Sequence, residues 1–247
     1  MEMASPAKVY QKEMHNNVGF FATWLPGDHM ELGAVGVMKD GQFRQEATLK
    51  DLGIKYKPSD EGSPQPLKYT SSKGTSIESS VGAKVPAVTA DIKIDFSSEG
   101  AFLFDALRVR QVRIKNRFDV TADILELYEE GKWNKEWYVV ESLHMADSAT
   151  IIVSQDQSAG IVMAASSELP IPSTTLADPK VDLSVKSSHG KLFQIIGGRN
   201  LQPLYACLRL KDNLFKAPKV VPVRGTVSRE TSIKMFARPS IEELIGS

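Results

Sequence analysis

Five cationic side chains fall within residues 106–117, ALRVRQVRIKNR: Arg108, Arg110, Arg113, Lys115 and Arg117. Three surfaces would use such a stripe. A solvated strand edge uses charge to discourage aggregation. Nucleic-acid binding uses a basic patch together with stacking aromatics, and here only Phe118 stands beside it. An anionic membrane surface attracts each nearby Lys or Arg by roughly 1 kcal/mol, so the five together supply about 5 kcal/mol before ordering.

Other reactive residue types stand apart. His15, His29, His144 and His189 share no helical or hairpin spacing that would make a metal site. Cys207 falls on the polar side of an alternating strand without a base partner, which reads as a structural thiol. Glu129-Glu130 and Glu242-Glu243 lie on amphipathic patterns, where acids form solvated faces. There is no Gly-x-Ser-x-Gly elbow and no phosphate loop, and the glycines of LGAVGV and IIGGRN read as strand bends and turns. The expectation is a protein that is not an enzyme, with no cofactor and no metal.

Composition narrows the class. The chain has 247 residues, 42% of them hydrophobic and 24% charged, with thirty basic residues balancing thirty acidic ones. That is ordinary globular composition with no global field, so any electrostatic function must be local. One cysteine allows no internal disulfide and fits a reducing compartment. The opening MEMASPAKVY lacks a signal pattern, and no apolar run reaches the roughly 18–20 residues of a spanning helix. The expectation is a cytoplasmic protein, soluble when made. A strand of about 10 residues also crosses a bilayer, so a β-type pore stays open.

The elements that would position these residues are mostly strands. Residues 1–57 read as a lead-in helix followed by short strands, with a hairpin at Asp40-Gly41. KPSDEGSPQP (57–66) reads as an exposed loop, and 70–88 is too weakly apolar to define a register. Ala90, Ile92, Ile94 and Phe96 alternate with Asp91, Lys93 and Asp95 as a half-buried strand. In the following strand the alternation slips one residue at Gln111, as at a β-bulge. DVTADILELYEEGKW predicts a helix over 119–131, capped by Asp119, striped by Val120, Ile124, Leu127 and Tyr128 and ended by Gly131. EWYVVESLHM and ATIIVSQDQSAGIVMAAS read as three strands; VDLSVKS, KLFQIIGG and PLYACLRLK supply three more. After Phe215 comes a basic, Pro-containing segment, and SIEELIGS closes the chain as a short amphipathic helix with Ile241, Leu244 and Ile245 on its apolar face. These elements make an α+β protein, a twisted and mostly antiparallel sheet with packed helices.

Four stretches carry a family resemblance: residues 23–53, ADIKIDFSSEG (90–100), EWYVVESLHMADSATIIVS (136–154) and residues 181–211. Their order and pattern resemble the pore-forming domain of gasdermins, especially the short bacterial type. Ser142 departs from the family's Tyr-Val-Val-Thr-Glu strand, and MEMASPAKVY lacks the N-terminal cysteine that is lipidated in bacterial members. The resemblance implies a pore-forming domain over 1–217 and a basic linker with an inhibitory tail over 218–247. It implies that Ile241, Leu244 and Ile245 dock in a groove and that a protease cuts after Arg224 or Arg229. Two hairpins, from the 70–110 and 150–186 regions, would then enter the membrane. Arg108, Arg110, Arg113, Lys115 and Arg117 would hold acidic lipid at the inner face of the cell membrane, and the chain would oligomerise and kill the cell in defence. The implied partners are acidic lipids, an activating protease and further copies of the chain, with no nucleic acid. The other reading is a non-enzymatic β-rich binding or assembly protein whose basic strand meets a protein or nucleic acid.

Overall fold

A computed structural model of the chain describes residues 5–39, 41–82, 89–165, 176–210 and 236–239. Helix α1 spans Pro6–Val18, followed by strands β1 (Phe21–Ala22), β2 (Ala34–Lys39) and β3 (Gln42–Thr48). Next come β4 (Pro58–Thr70), β5 (Thr75–Gly82), β6 (Thr89–Phe96) and β7 (Phe102–Ile114). Helix α2 (Arg117–Glu129) precedes β8 (Tyr138–Ser154) and β9 (Ala159–Ala165). A short 3-10 turn, Pro179–Val181, leads to β10 (Leu183–His189), β11 (Leu192–Leu210) and β12 (Phe236–Ala237). The fold is the expected α+β class, mostly antiparallel sheet with two helices among the described residues. No helix among those residues is long and apolar enough to cross a membrane.

The chain divides into two compact units. The first holds residues up to His29, Gly62–Arg110 and His144–Leu204. Its centre is the pair β7 and β8, buried on both faces. Phe102, Phe104, Ile151 and Val153 face one way and pack with Tyr10 and Met14 of α1. The Tyr10 and Phe102 rings meet edge to face at 4.8 Å. Leu103 and Ile152 face the other way and pack against Ile92, Ile94, Phe96, Ile161 and Met163 of β6 and β9. Period-2 alternation thus feeds two cores from one strand, which explains why this stretch reads as nearly continuous apolar sequence. The second core is roofed by a four-stranded antiparallel sheet in the order β10-β9-β6-β5.

A buried carboxylate and a buried hydroxyl, Asp105 and Thr150, border that core. Asp105 is buried; its Oδ2 accepts a 2.7 Å hydrogen bond from the Leu176 amide and lies 3.7 Å from Lys68 Nζ. Thr150 Oγ1 donates to the Leu176 carbonyl at 2.8 Å, so both backbone groups of Leu176 are held by side chains. Asp105→Ala removes the amide's acceptor and should lower stability by about 2 kcal/mol, discounted because Lys68 can turn to solvent. Asp105→Asn keeps an acceptor and should lose less than half of that; equal losses in urea melts would show that the Leu176 bond contributes nothing.

The second unit holds Met30–Glu61, Gln111–Leu143 and the residues from Tyr205 onward. Its β2–β3 hairpin pairs Lys39 with Gln42, the residues that flank the expected turn, and β2 also pairs with β8 through Val35↔Val139 and Gly36↔Tyr138. Gly36 sits where the hairpin register shifts; a Cβ there would lie 1.9 Å from the Arg44 carbonyl oxygen, so no larger residue fits. Helix α2 buries Val120, Thr121, Ile124 and Leu125.

Several expectations are corrected. The 57–66 segment is not a loop: β4 pairs with β7, so backbone pairing overrides a side-chain pattern that buries little. Its prolines fit a strand edge. The strands expected within 136–145 and 149–154 are one 17-residue strand, β8 (Tyr138–Ser154), and those expected at 191–198 and 203–211 meet in the 19-residue β11 (Leu192–Leu210). Gly197 and Asn200 adopt positive φ inside β11, absorbing the irregularity that reads as a strand break. The weakly patterned 70–88 stretch contains β5, its register set by β6. Helix α2 begins at Arg117, with Asn116 in place of Asp119 at its cap position; the Asn116 side chain instead bridges the Lys57 amide and the Lys55 carbonyl. Gly131 ends the helix region at φ 72°, as expected.

Candidate functional site

The basic segment is built in two parts. In the first unit Arg108 and Arg110 are exposed, with Val109 buried between them. Arg108 adopts φ 53° and its Nε donates to Asp147 at 2.7 Å. In the second unit Arg113 and Lys115 are exposed while Ile114 is buried. Gln111 and Val112 are both half-buried, so the exposed arginines pass from spacing two to spacing three where the alternation was expected to slip. Arg117 opens α2 and lies 3.4 Å from Glu141, a carboxylate with only 6% of its side chain exposed. Arg108 and Arg117 thus face the carboxylates of Asp147 and Glu141.

Residue types alone did not single out Glu141. Its one signal is a charge inside an apolar strand, YVVES, where an acid must find a cationic partner or shed its charge. Its second partner is Arg238, whose Nε donates to Glu141 Oε1 at 2.7 Å.

The four-stranded sheet of the first unit sorts most of its side chains by face, with Val162 and Ala164 of β9 set among the polar residues and Ser79 among the apolar ones. Ile77, Ile94 and Ile161 stand in register across three strands, as do Ser79, Ile92, Met163 and Val185 across four. Directly paired residues share a face. Ala90, Phe96, Ala159 and Ala165 complete this apolar side. The opposite face carries Ser76, Glu78, Ser80, Asp91, Lys93 and Asp95, with ion pairs Lys93–Asp95 at 2.6 Å and Lys186–Asp91 at 2.5 Å. At the two sheet edges the apolar side is uncovered: Ile77 is 47% and Val185 43% exposed. The arms of the β5–β6 hairpin are eight residues each, and those of β9 and β10 seven each.

The other residues of reactive type lie apart from one another among the described residues. No group of three His, Cys, Asp or Glu side chains could hold a metal ion among them. His15 stacks on Phe21 with ring centroids 4.5 Å apart, and His29 is exposed. His144 lies against Phe20, and burial lowers its pKa to about 4. His189 lines an open cleft of about 330 Å³ with Asp95, Ser76 and Ser158. Cys207 is not on a polar face. Both sides of β11 are covered there and the thiol is fully buried. Burial pushes its pKa up, Glu141 adds to the shift, and Arg209 and Arg238 oppose it. A thiol held protonated is a poor nucleophile. Glu129 and Glu130 are exposed, as a solvated face requires.

The expected cleavage residues Arg224 and Arg229, the tail residues Ile241, Leu244 and Ile245, the pair Glu242-Glu243 and the 217/218 boundary lie outside the described residues.

No protein-family model matches the chain, and no curated protein matches it. Among solved structures, the chain is similar to the gasdermin A3 membrane pore determined by cryo-electron microscopy. The identity is 15% and the TM-score 0.37, over 91% of this chain and 99% of that one.

Proposed function

We propose that the chain is an autoinhibited, gasdermin-like pore-forming protein that proteolysis near Arg224 or Arg229 releases to oligomerise in acidic membranes and kill the cell. The observation that carries this reading is the sheet β10-β9-β6-β5: two neighbouring hairpins that share one apolar face, with polar residues of β5, β6 and β10 on the other face around Gly160, Val162 and Ala164 of β9. Membrane barrels need this alternation, apolar toward lipid and polar toward the lumen, over about 9–11 residues per strand. The β5–β6 and β9–β10 arms supply most of that length. Residues 83–88 and 166–175 lie between the arms in sequence. Exposed Arg110, Arg113 and Lys115 would meet lipid head groups, and Arg108 and Arg117 would do so by exchanging their carboxylates for phosphate. The protein would wait in the cytoplasm and act at the inner face of the cell membrane.

The test is dye release from vesicles containing phosphatidylserine, using a chain with a specific protease site inserted after Arg224. The intact protein should leave vesicles sealed and cleavage should open them. Alanine at Arg110, Arg113 and Lys115 should reduce release at least tenfold, since about 3 kcal/mol of surface attraction disappears. Sealed vesicles after complete cleavage of a folded chain would remove the pore reading. The ion pairs of Arg108 and Arg117 would then favour a β-rich binding protein.

A further inference from the structure

The arrangement around Glu141 has a further consequence. Its two carboxylate oxygens face different arginines: Oε2 faces Arg117 at the start of α2, and Oε1 takes the Nε proton of Arg238. Arg238 directly follows β12, which among the described residues adds to the edge of β11 through two pairs, Arg209↔Ala237 and Leu210↔Phe236. Two pairs do not hold a strand in water. The Arg238 bond to a buried carboxylate is a charge-assisted contact of this short segment, beside the buried Pro239. We infer that Glu141 is a latch that holds the 236–239 segment on β11 and that Arg238 is its releasable half.

The charge count favours release. Removing one partner of a buried pair usually leaves a charge uncompensated, which makes such pairs hard to open. Here Arg117 stays with Glu141 when Arg238 leaves, so the carboxylate remains neutralised in both states. Arg238 is 54% exposed and regains water as it departs. Arg117 acts as a keeper and Arg238 as a catch. In its purpose, keeping the chain inactive, the latch rests on the pore-forming reading; its existence does not.

Cys207 supplies the readout. It is the only cysteine, is fully buried on β11, and lies within the electrostatic reach of both Glu141 and Arg238. Maleimide labelling of the full-length native chain, with amide exchange of Arg209 and Leu210 measured in parallel, tests the latch without membranes. Arg238→Ala and Glu141→Gln should each speed labelling and exchange at least tenfold, with Arg238→Lys in between. Arg117→Ala should change both less than Arg238→Ala, because the catch remains. Wild-type rates in folded Arg238→Ala would overturn the latch. If Glu141→Gln fails to melt cooperatively, Arg238→Ala and Arg238→Lys decide alone. Labelling Arg238→Ala that carries the protease site after Arg224, then cleaving it beside phosphatidylserine vesicles, separates the two ideas: fast labelling with vesicles that stay sealed after complete cleavage keeps the latch and counts against the pore, and leakage after cleavage supports both.

Discussion

Lysine at both Ile77 and Val185 should abolish vesicle leakage by the cleaved chain while leaving its folding almost untouched. Both residues lie on the apolar face of the four-stranded sheet, yet at its edges they are 47% and 43% exposed. In water a lysine at either position keeps its ammonium solvated, and stability should change by no more than about 1 kcal/mol. In a membrane-spanning hairpin the same face meets lipid. A lysine there destabilises insertion by about 2–4 kcal/mol at mid-depth and by less near the interface. Every 1.4 kcal/mol is a factor of ten, so the double variant should leak at least tenfold more slowly at equal protein. Ser80→Lys, on the polar face of β5, should leak normally, because a lumen-facing charge stays in water. Undiminished leakage from Ile77→Lys/Val185→Lys would mean that these hairpins do not form the lipid-facing wall.

Acid should weaken the fold through His144, and His144→Leu should remove that sensitivity. The imidazole lies against Phe20, 4.0 Å between ring centroids, with its buried Nδ1 unpartnered. Burial lowers its pKa from 6.5 to about 4. The unfolded chain therefore binds the proton more tightly than the folded one. Above pH 6.5 both states are neutral at this site and stability is unaffected. Between pH 6.5 and 4 the unfolded state alone takes up the proton, and stability falls by up to 1.4 kcal/mol per pH unit. By pH 4 the loss reaches about 3 kcal/mol and then levels off. Urea melts at pH 7.5 and 4.5 should show the variant losing about 2–3 kcal/mol less than the wild type over that interval. Carboxylates titrate in both proteins, so the difference belongs to His144. Parallel pH profiles would place the acid sensitivity elsewhere.

Local pattern alone carried a good part of this fold. The β2–β3 hairpin with its left-handed Gly41, the alternation of Ala90 to Phe96 and the left-handed Gly131 are decided by neighbours within a few residues. They were legible for that reason. The slip of the basic strand at Gln111 was legible too, because side-chain period 2 leaves a direct trace in the order of residues. Other elements depend on distant partners. β4 exists because β7 offers it a ladder, and β5 takes its register from β6, although neither sequence carries a clear apolar stripe. Cys207 and Arg209 alternate as a polar face would, but cover on both sides of β11 buries the thiol.

The basic segment divides in the same way. Its charge is written in residues 108–117, and nothing nearby in sequence shows which cations are already engaged. Asp147 lies 39 residues from Arg108, and Glu141 brings Arg117 together with Arg238 from 97 residues beyond it. A buried carboxylate must be neutralised, but sequence order does not say by which cation, because that choice is made by strands meeting across the sheet. The sequence determined the class of elements and the amount of charge. Tertiary pairing decided which charges face carboxylates and which remain exposed to solvent.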